Sequence, residues 1–195
     1  LGMGALTKGI SVREVASAYA AFANDGIWRQ GRTFLLVLDD TGEVVLDNTQ
    51  DSRRVLSEKA VNYLNYCLDS AVASGTGTAA DLSDIGIATA GKTGSTNDNK
   101  DRWFIGYTPK LTAGVWVGAE DRQVHFNSLA LGGGSNMALP IWGIFMKKVL
   151  EDGTLGVYET DRFIAPPGVT LNLDCDGSDA DAVMKAEEDD SYFFE

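Results

Sequence analysis

Three strand-like segments follow one another between Ile87 and Glu120 with almost nothing between them: IATAGKTGS, RWFIGYTP and LTAGVWVGAE. The linking residues are few and turn-forming, with Asn97, Asp98 and Asn99 in the first connection and Pro109 and Lys110 in the second. A parallel pair needs a crossover of a dozen residues or more, so segments joined this tightly must form an antiparallel meander. The stretch from Ala138 to Leu150 carries Ile141, Trp142, Ile144, Phe145, Met146 and Val149. That pattern reads as an apolar helix in need of a sheet face to cover it.

Upstream, Ser11 stands three residues before Glu14, the spacing of a capping box, and opens a helix through Val12, Val15, Ala16, Tyr19, Ala20 and Phe22. Asn24, Asp25 and Gly26 close it. Apolar residues from Thr33 to Leu38, a turn over Asp39 to Gly42, and Val44 to Leu46 read as a peripheral β-hairpin. Ser57 caps a second helix through Val61, Leu64, Cys67, Leu68 and Val72, which runs into the small-residue stretch SGTGTAA, a loop. Helices before and after a central antiparallel sheet make an α+β architecture. Trp116 and Trp142 are expected in its core, and Asn136 is a candidate cap for the last helix.

At 195 residues and 44% hydrophobic content the chain can bury one sizeable core. Its formal charge of −12 repels phosphates and argues against a nucleic-acid partner. Most of that charge lies between Asp174 and Glu195, a segment too acidic to pack by itself and expected to be mobile. The boundaries read as one unit over 1–152, an extended linker over 153–173 and an acidic tail over 174–195. Cys67 and Cys175 show no metal or redox spacing, and a single histidine, His125, excludes a His-rich metal site and disfavours a Ser/His/Asp triad. No run of about 18 apolar residues occurs. The opening LGMGALTKGIS reads as mid-protein sequence.

The residues best suited to chemistry are Lys92, Thr93, Gly94 and Ser95, followed by Thr96, Asn97 and Asp98. A lysine on a strand beside two hydroxyls and a glycine presents a positive charge, hydrogen-bond donors and close backbone access, features that suit a carboxylate-bearing peptide laid along the strand. The KTG triplet is also the third signature of the penicillin-recognising serine enzymes, whose set is SxxK, SxN and KTG. LTKGISVREVASAYAAFANDG, GTGTAA, AGKTGSTNDNKDRWFIGYTP, LTAGVWVGAE and the apolar helix after GGG resemble, in order, the transpeptidase domain of the high-molecular-weight, bifunctional penicillin-binding proteins. The resemblance covers about residues 1 to 150 and implies the transpeptidase/β-lactamase-like fold, with no cofactor and no metal.

Carried over to this chain, the resemblance implies that Lys92 serves the catalytic proton network and attracts substrate. It implies that Thr93 and Ser95 bind the carboxylate of a peptidoglycan stem peptide or of a penicillin or other β-lactam. Gly94 keeps the strand open to the substrate backbone, and the Ser95 N–H is an oxyanion-hole donor. Thr96 joins the substrate-binding candidates, Thr76 and Thr78 of the GTGTAA loop are secondary ones, and Trp103 is a candidate wall of the cleft. The same loop has no GK[ST] in P-loop spacing and so does not read as a phosphate loop. Lys100, Asp101 and Arg102 read, with Asp98 and Asn99, as a solvated hairpin tip, and His125 as an exposed loop residue.

None of the chain's serines has a lysine three places on; Ser57 has Lys59 at two, on a different helix face. Ser95, Thr96 and Asn97 match SxN only as a continuation of the KTG strand. The nucleophile and the SxN loop are therefore expected before Leu1, in the N-terminal half of the same domain. The intact parent is then a D,D-transpeptidase, extracytoplasmic and anchored in the membrane upstream, while this chain alone is inactive and exposes an apolar patch or self-associates. The alternative is a catalytically dead binding or structural module on the same scaffold.

Overall fold

A computed structural model describes residues 8–49, 51–96, 99–121, 123–128, 132–155 and 162–164. The acidic tail over 174–195 and most of the 153–173 linker lie outside the described residues, as do Asn97 and Asp98 of the first turn.

The chain opens with α1 (Val12–Ala23), and the capping box forms as its spacing requires. The Ser11 hydroxyl accepts from the Glu14 N–H at 3.2 Å, and the Glu14 carboxylate accepts from the Ser11 N–H at 2.9 Å. The helix ends at Asn24, after which Asp25 and Gly26 take positive φ values of 51° and 79°. Gly26 has the Leu56 carbonyl where a Cβ would stand, so both backbone conformation and space call for glycine. Two small sheets follow. β1 (Ile27–Arg29) pairs with β4 (Ser52–Arg54), and between them β2 (Leu36–Leu38) pairs with β3 (Val44–Asp47) through a register shift at Val37 and Leu38. Sequence patterning does not reveal the three-residue, largely polar β1–β4 pair. The β2–β3 hairpin is peripheral as expected, with every residue of both strands exposed.

Helix α2 (Glu58–Ala73) starts at Ser57, whose hydroxyl accepts from Ala60 N–H. The SGTGTAA stretch leaves α2 and tightens into a short 3-10 helix over Thr78–Ala80, with Ala80 buried, so it is a packed turn rather than a free loop. Then β5 (Ala90–Ser95), β6 (Asp101–Tyr107) and β7 (Thr112–Gly118) form the expected antiparallel meander in the order β5-β6-β7. Lys92 pairs with Ile105, Gly94 with Trp103 and Ser95 with Arg102.

The last helix, α3 (Ala138–Glu151), covers one face of this sheet. Trp142 is fully buried, stands edge-on to Phe104 with ring centroids 5.2 Å apart, and donates its indole N–H to the Ala113 carbonyl at 3.0 Å. Phe104, Ala138, Leu139, Trp142 and Met146 share one core cluster with Val72, Ala80 and Leu82. Across the sheet, α1 packs on β6 and β7, and α2 lies along β5. There Tyr107 meets Leu68 and Ala90, and Tyr19, Phe22 and Phe163 surround it. The Tyr107 hydroxyl donates to Asn65 Oδ1 at 2.7 Å, and Asn65 Nδ2 donates to the Phe22 carbonyl at 3.0 Å. This relay satisfies the buried polar groups and ties α1, α2 and β6 together.

Three expectations need correction. Trp116 is not core: it is 39% exposed, and its indole N–H reaches Asp101 Oδ1 at 3.1 Å, so the ring lies at the surface where its polar edge finds a carboxylate. Asn136 does not cap α3; the cap position is Met137, without a side-chain bond, while the Asn136 N–H turns back to the Gly133 carbonyl. Arg102 is not part of a solvated tip. It is the second residue of β6 and only 1% exposed. Helix α3 meets the apolar-cover expectation on one side only, because Ile141, Ile144 and Phe145 point to solvent at 50%, 61% and 50% exposure.

Candidate active-site strand

The candidate residues sit on β5, and the direction of its backbone groups decides what they can do. Thr96 N–H donates across the hairpin to the Asp101 carbonyl at 3.2 Å. Backbone direction alternates along a strand, so the N–H groups of Gly94 and Lys92 also point to β6. Those of Thr93 and Ser95 point outward, to the side where β5 has no strand neighbour among the described residues. An edge with unpaired donors is a template for one more extended chain.

Side chains gather at that edge. Thr93 Oγ1 lies 3.2 Å from Thr76 Oγ1 and 3.3 Å from Lys92 Nζ, and Nζ is also 3.4 Å from the Thr93 carbonyl. Lys92 and Ser95 are exposed, and Thr93 and Gly94 half-buried. The cluster therefore offers an ammonium, three hydroxyls and two outward N–H groups along a few residues of strand, all of them hydrogen-bond donors. Two of the glycines leading into it answer to crowding. A Cβ at Gly91 would stand 2.8 Å from Phe104 Cζ, and one at Gly94 would stand 3.2 Å from Trp103 Cβ. A side chain at 94 would thus press on Trp103, on the face of the sheet away from Thr93 and Ser95.

The remaining sequence candidates are placed differently. Thr78 makes no hydrogen bond to β5 among the described residues; it opens the 3-10 helix, and its carbonyl accepts from Asp81 N–H. Thr96 closes the hairpin, donating to Asp101 Oδ2 at 2.9 Å and accepting from the Asp101 N–H at 3.0 Å. Trp103 is half-buried on the Gly94 side of the sheet, its ring centroid 6.4 Å from that of Trp116, and so lies on the face opposite Thr93 and Ser95. His125 is exposed, as its loop position implies.

Sequence reasoning missed Arg102, which stands directly across from Ser95. The signal was present: Arg102 is two residues from Phe104, and period-two alternation puts both on the core face of β6. Residues 132–134 are all glycine and all buried, and Gly134 approaches the same place. A Cβ on Gly134 would stand 3.0 Å from the Gly94 carbonyl, 3.1 Å from the Trp103 carbonyl and 3.5 Å from Ser95 Oγ.

The fold that carries this strand is found among known proteins. Residues 1–128 match the family model described as the penicillin binding protein transpeptidase domain. The chain belongs to this family. Penicillin-binding protein 1A of Clostridium acetobutylicum is 37% identical over 164 residues, covering 84% of this chain and 19% of that protein. The structure of the penicillin-binding protein PonA1 from Mycobacterium tuberculosis superposes with a TM-score of 0.66 at 26% identity, covering 81% of this chain and 41% of that one. The same protein in complex with penicillin V gives 0.64 at 28% identity, covering 81% and 42%. This transpeptidase-family chain thus spans about a fifth of the length of the curated relative it matches. The α+β fold expected from the sequence is the fold of these penicillin-binding proteins. Among the described residues no helix is long and apolar enough to cross a membrane, and no group of three or more His, Cys, Asp or Glu side chains could hold a metal.

Proposed function

We propose that the chain is the substrate-strand part of a serine-type D,D-transpeptidase domain in a peptidoglycan synthase, acting on stem peptides and acylated by penicillin and other β-lactams. The observation that carries the reading is the outer edge of β5. Thr93 and Ser95 turn their N–H groups outward there, beside the Thr76, Thr93 and Lys92 side chains. A stem peptide lying along this edge has its terminal carboxylate received by the Thr93 and Ser95 hydroxyls, with the Lys92 ammonium close by to attract it. Thr76 holds the Thr93 hydroxyl in place. The Ser95 N–H donates to the oxygen of the tetrahedral intermediate, a contribution worth about 3 kcal/mol per donor.

The reaction needs a nucleophile that these 195 residues do not supply in SxxK form. A serine from the other part of the domain attacks the penultimate D-alanine carbonyl, the terminal D-alanine leaves with a proton, and a neighbouring amine takes the acyl group from the serine. The Lys92 ammonium belongs to the proton network of that step. The parent works outside the cytoplasmic membrane, held by a region upstream of Leu1, and the part of the domain bearing SxxK and SxN is the partner of this chain. The other reading, a binding module on the same scaffold without catalysis, is separated from this one by whether SxxK and SxN precede Leu1 in the gene.

Intact mass before and after incubation with penicillin tests the proposal. The chain alone forms no adduct, and the longer protein that includes the SxxK segment forms one. In that longer protein Lys92→Ala slows adduct formation by about 100-fold or more, the usual scale for losing a proton-transfer group. A stoichiometric adduct on the chain alone, or none on the SxxK-bearing protein, contradicts it.

A further inference from the structure

Arg102 is the buried charge that the fold leaves unexplained. It is 1% exposed, and neither Nε nor Nη2 has a hydrogen-bond partner among the described residues. The bond it does make there runs from Nη1 to the Asp101 carbonyl at 2.7 Å. Arginine is among the residues least often fully buried unless paired, and a buried cation without a counter-charge is costly enough to require a reason. The neighbouring carboxylate does not provide one. By strand alternation the Asp101 side chain projects from the opposite face of β6, where it is held by Thr96 Oγ1 and Trp116 Nε1.

The location is informative. The carbonyl that receives Nη1 is the same one that receives the Thr96 N–H, so the guanidinium lies at the seam between β5 and β6, beside the end of the candidate strand. Ser95 and Arg102 face each other in the register, one step from the hydrogen-bonded contact at Thr96. They form a non-hydrogen-bonded cross-strand pair, the kind whose side chains come closest and share a face. Backbone comes close to this pair at Gly134, where a Cβ would stand 3.0 Å from the Gly94 carbonyl, 3.1 Å from the Trp103 carbonyl and 3.5 Å from Ser95 Oγ.

We propose that Arg102 is a positioning residue for substrate: the buried guanidinium behind Ser95 supplies the positive charge that makes this end of β5 select a carboxylate over a neutral group. The ligand is the terminal carboxylate of an extended peptide on the β5 edge, so the inference rests on the transpeptidase reading and adds to it the residue that sets charge selectivity. Arg102 does not touch the ligand. It acts from across the strand pair on the Ser95 position that faces it, and because the guanidinium itself is buried its field is screened less than that of a surface charge. Without ligand two of its nitrogens have no hydrogen-bond partner among the described residues, an arrangement that costs stability, and the carboxylate brings a counter-charge on binding.

The test compares the wild-type chain with Arg102→Met and Arg102→Lys, using a peptide ending in D-alanyl-D-alanine as free acid and as C-terminal amide. Acetate is a third probe, followed by the Arg102 Nε–Hε resonance. The wild type is expected to bind the acid at least tenfold more tightly than the amide. Arg102→Met is expected to lose that preference while melting at the same or a higher temperature, as follows from replacing an unpaired buried charge by an apolar side chain of similar size. Arg102→Lys retains the preference in weakened form, and it carries the comparison should the methionine variant not fold. A markedly lower melting temperature for Arg102→Met with an unchanged acid-over-amide ratio would make Arg102 structural and overturn the proposal. If the wild type binds neither peptide yet acetate still moves the Nε–Hε resonance, the anion site stands and the transpeptidase reading falls. Peptide acid bound with equal preference by wild type and both variants leaves the transpeptidase reading intact and removes Arg102 from it. Silence to all three probes removes both.

Discussion

Thr76 and Thr93 bring their hydroxyl oxygens to 3.2 Å across 17 residues of sequence, joining the turn after α2 to the candidate strand β5. The contact is local in space only, and through it the GTGTAA turn fixes the hydroxyl of Thr93 at the open edge. Thr93→Val keeps the branched shape and removes that hydroxyl. It is expected to weaken binding of a D-alanyl-D-alanine acid about fivefold, the equivalent of about 1 kcal/mol for one net hydrogen bond, with little change in melting temperature. Thr76→Val should give a smaller loss in the same titration, because it only frees the Thr93 rotamer.

Tyr107→Phe removes the donor that satisfies Asn65 Oδ1 at 2.7 Å and strands that acceptor inside the protein. The expected cost is about 1 to 3 kcal/mol in denaturant unfolding. Burial, with Tyr19 and Asp69 nearby, pushes the Tyr107 hydroxyl far above the ordinary tyrosine range. The folded protein therefore keeps this proton where the unfolded chain releases it, so stability falls as pH rises above about 10. An ultraviolet pH titration should show one tyrosine that ionises only as the protein unfolds.

Asp69 is half-buried beside Asp81, and burial first, then that like charge, raises its carboxyl above the usual aspartate range, with Arg162 opposing. A raised folded value means that the native state holds its proton more tightly than the unfolded chain. Its contribution is present below about pH 4 and is lost as pH rises through the folded value. Asp69→Asn should accordingly raise the melting temperature at pH 7 and leave it nearly unchanged at pH 3. A lower melting temperature at pH 7 would show that the carboxylate is instead well compensated.

The meander, both capped helices and the peripheral hairpin were legible because each is dictated locally: by turn residues between short apolar runs, and by Ser11 with Glu14 and Ser57 at the helix starts. Long-range placement was not. Arg102 looked like a tip residue because charged neighbours precede it, although its alternation with Phe104 already assigned it to the core face. Trp116 looked like core because of its apolar ring, and only the partner of its indole N–H, Asp101, decides otherwise. Thr76 and Thr78 are equivalent in sequence, and nothing local shows that only Thr76 reaches β5.

Ile141, Ile144 and Phe145 form an exposed apolar band on α3, opposite the side held by Trp142 and Met146. Exposed apolar surface of this kind drives association. The chain should sediment as a concentration-dependent mixture, and Ile144→Glu with Phe145→Glu should shift it towards monomer without altering its circular dichroism. A monodisperse monomer in the wild type at high concentration would contradict this.

The central claim, that the open edge of β5 receives a carboxylate-terminated peptide, is tested most directly by titrating the labelled chain with a D-alanyl-D-alanine acid and following backbone amide resonances. The account predicts saturable shifts concentrated on the outward N–H groups of Thr93 and Ser95, with Thr76 moving as their neighbour. Saturable binding that leaves these three amides unmoved, or no binding at all, would contradict it.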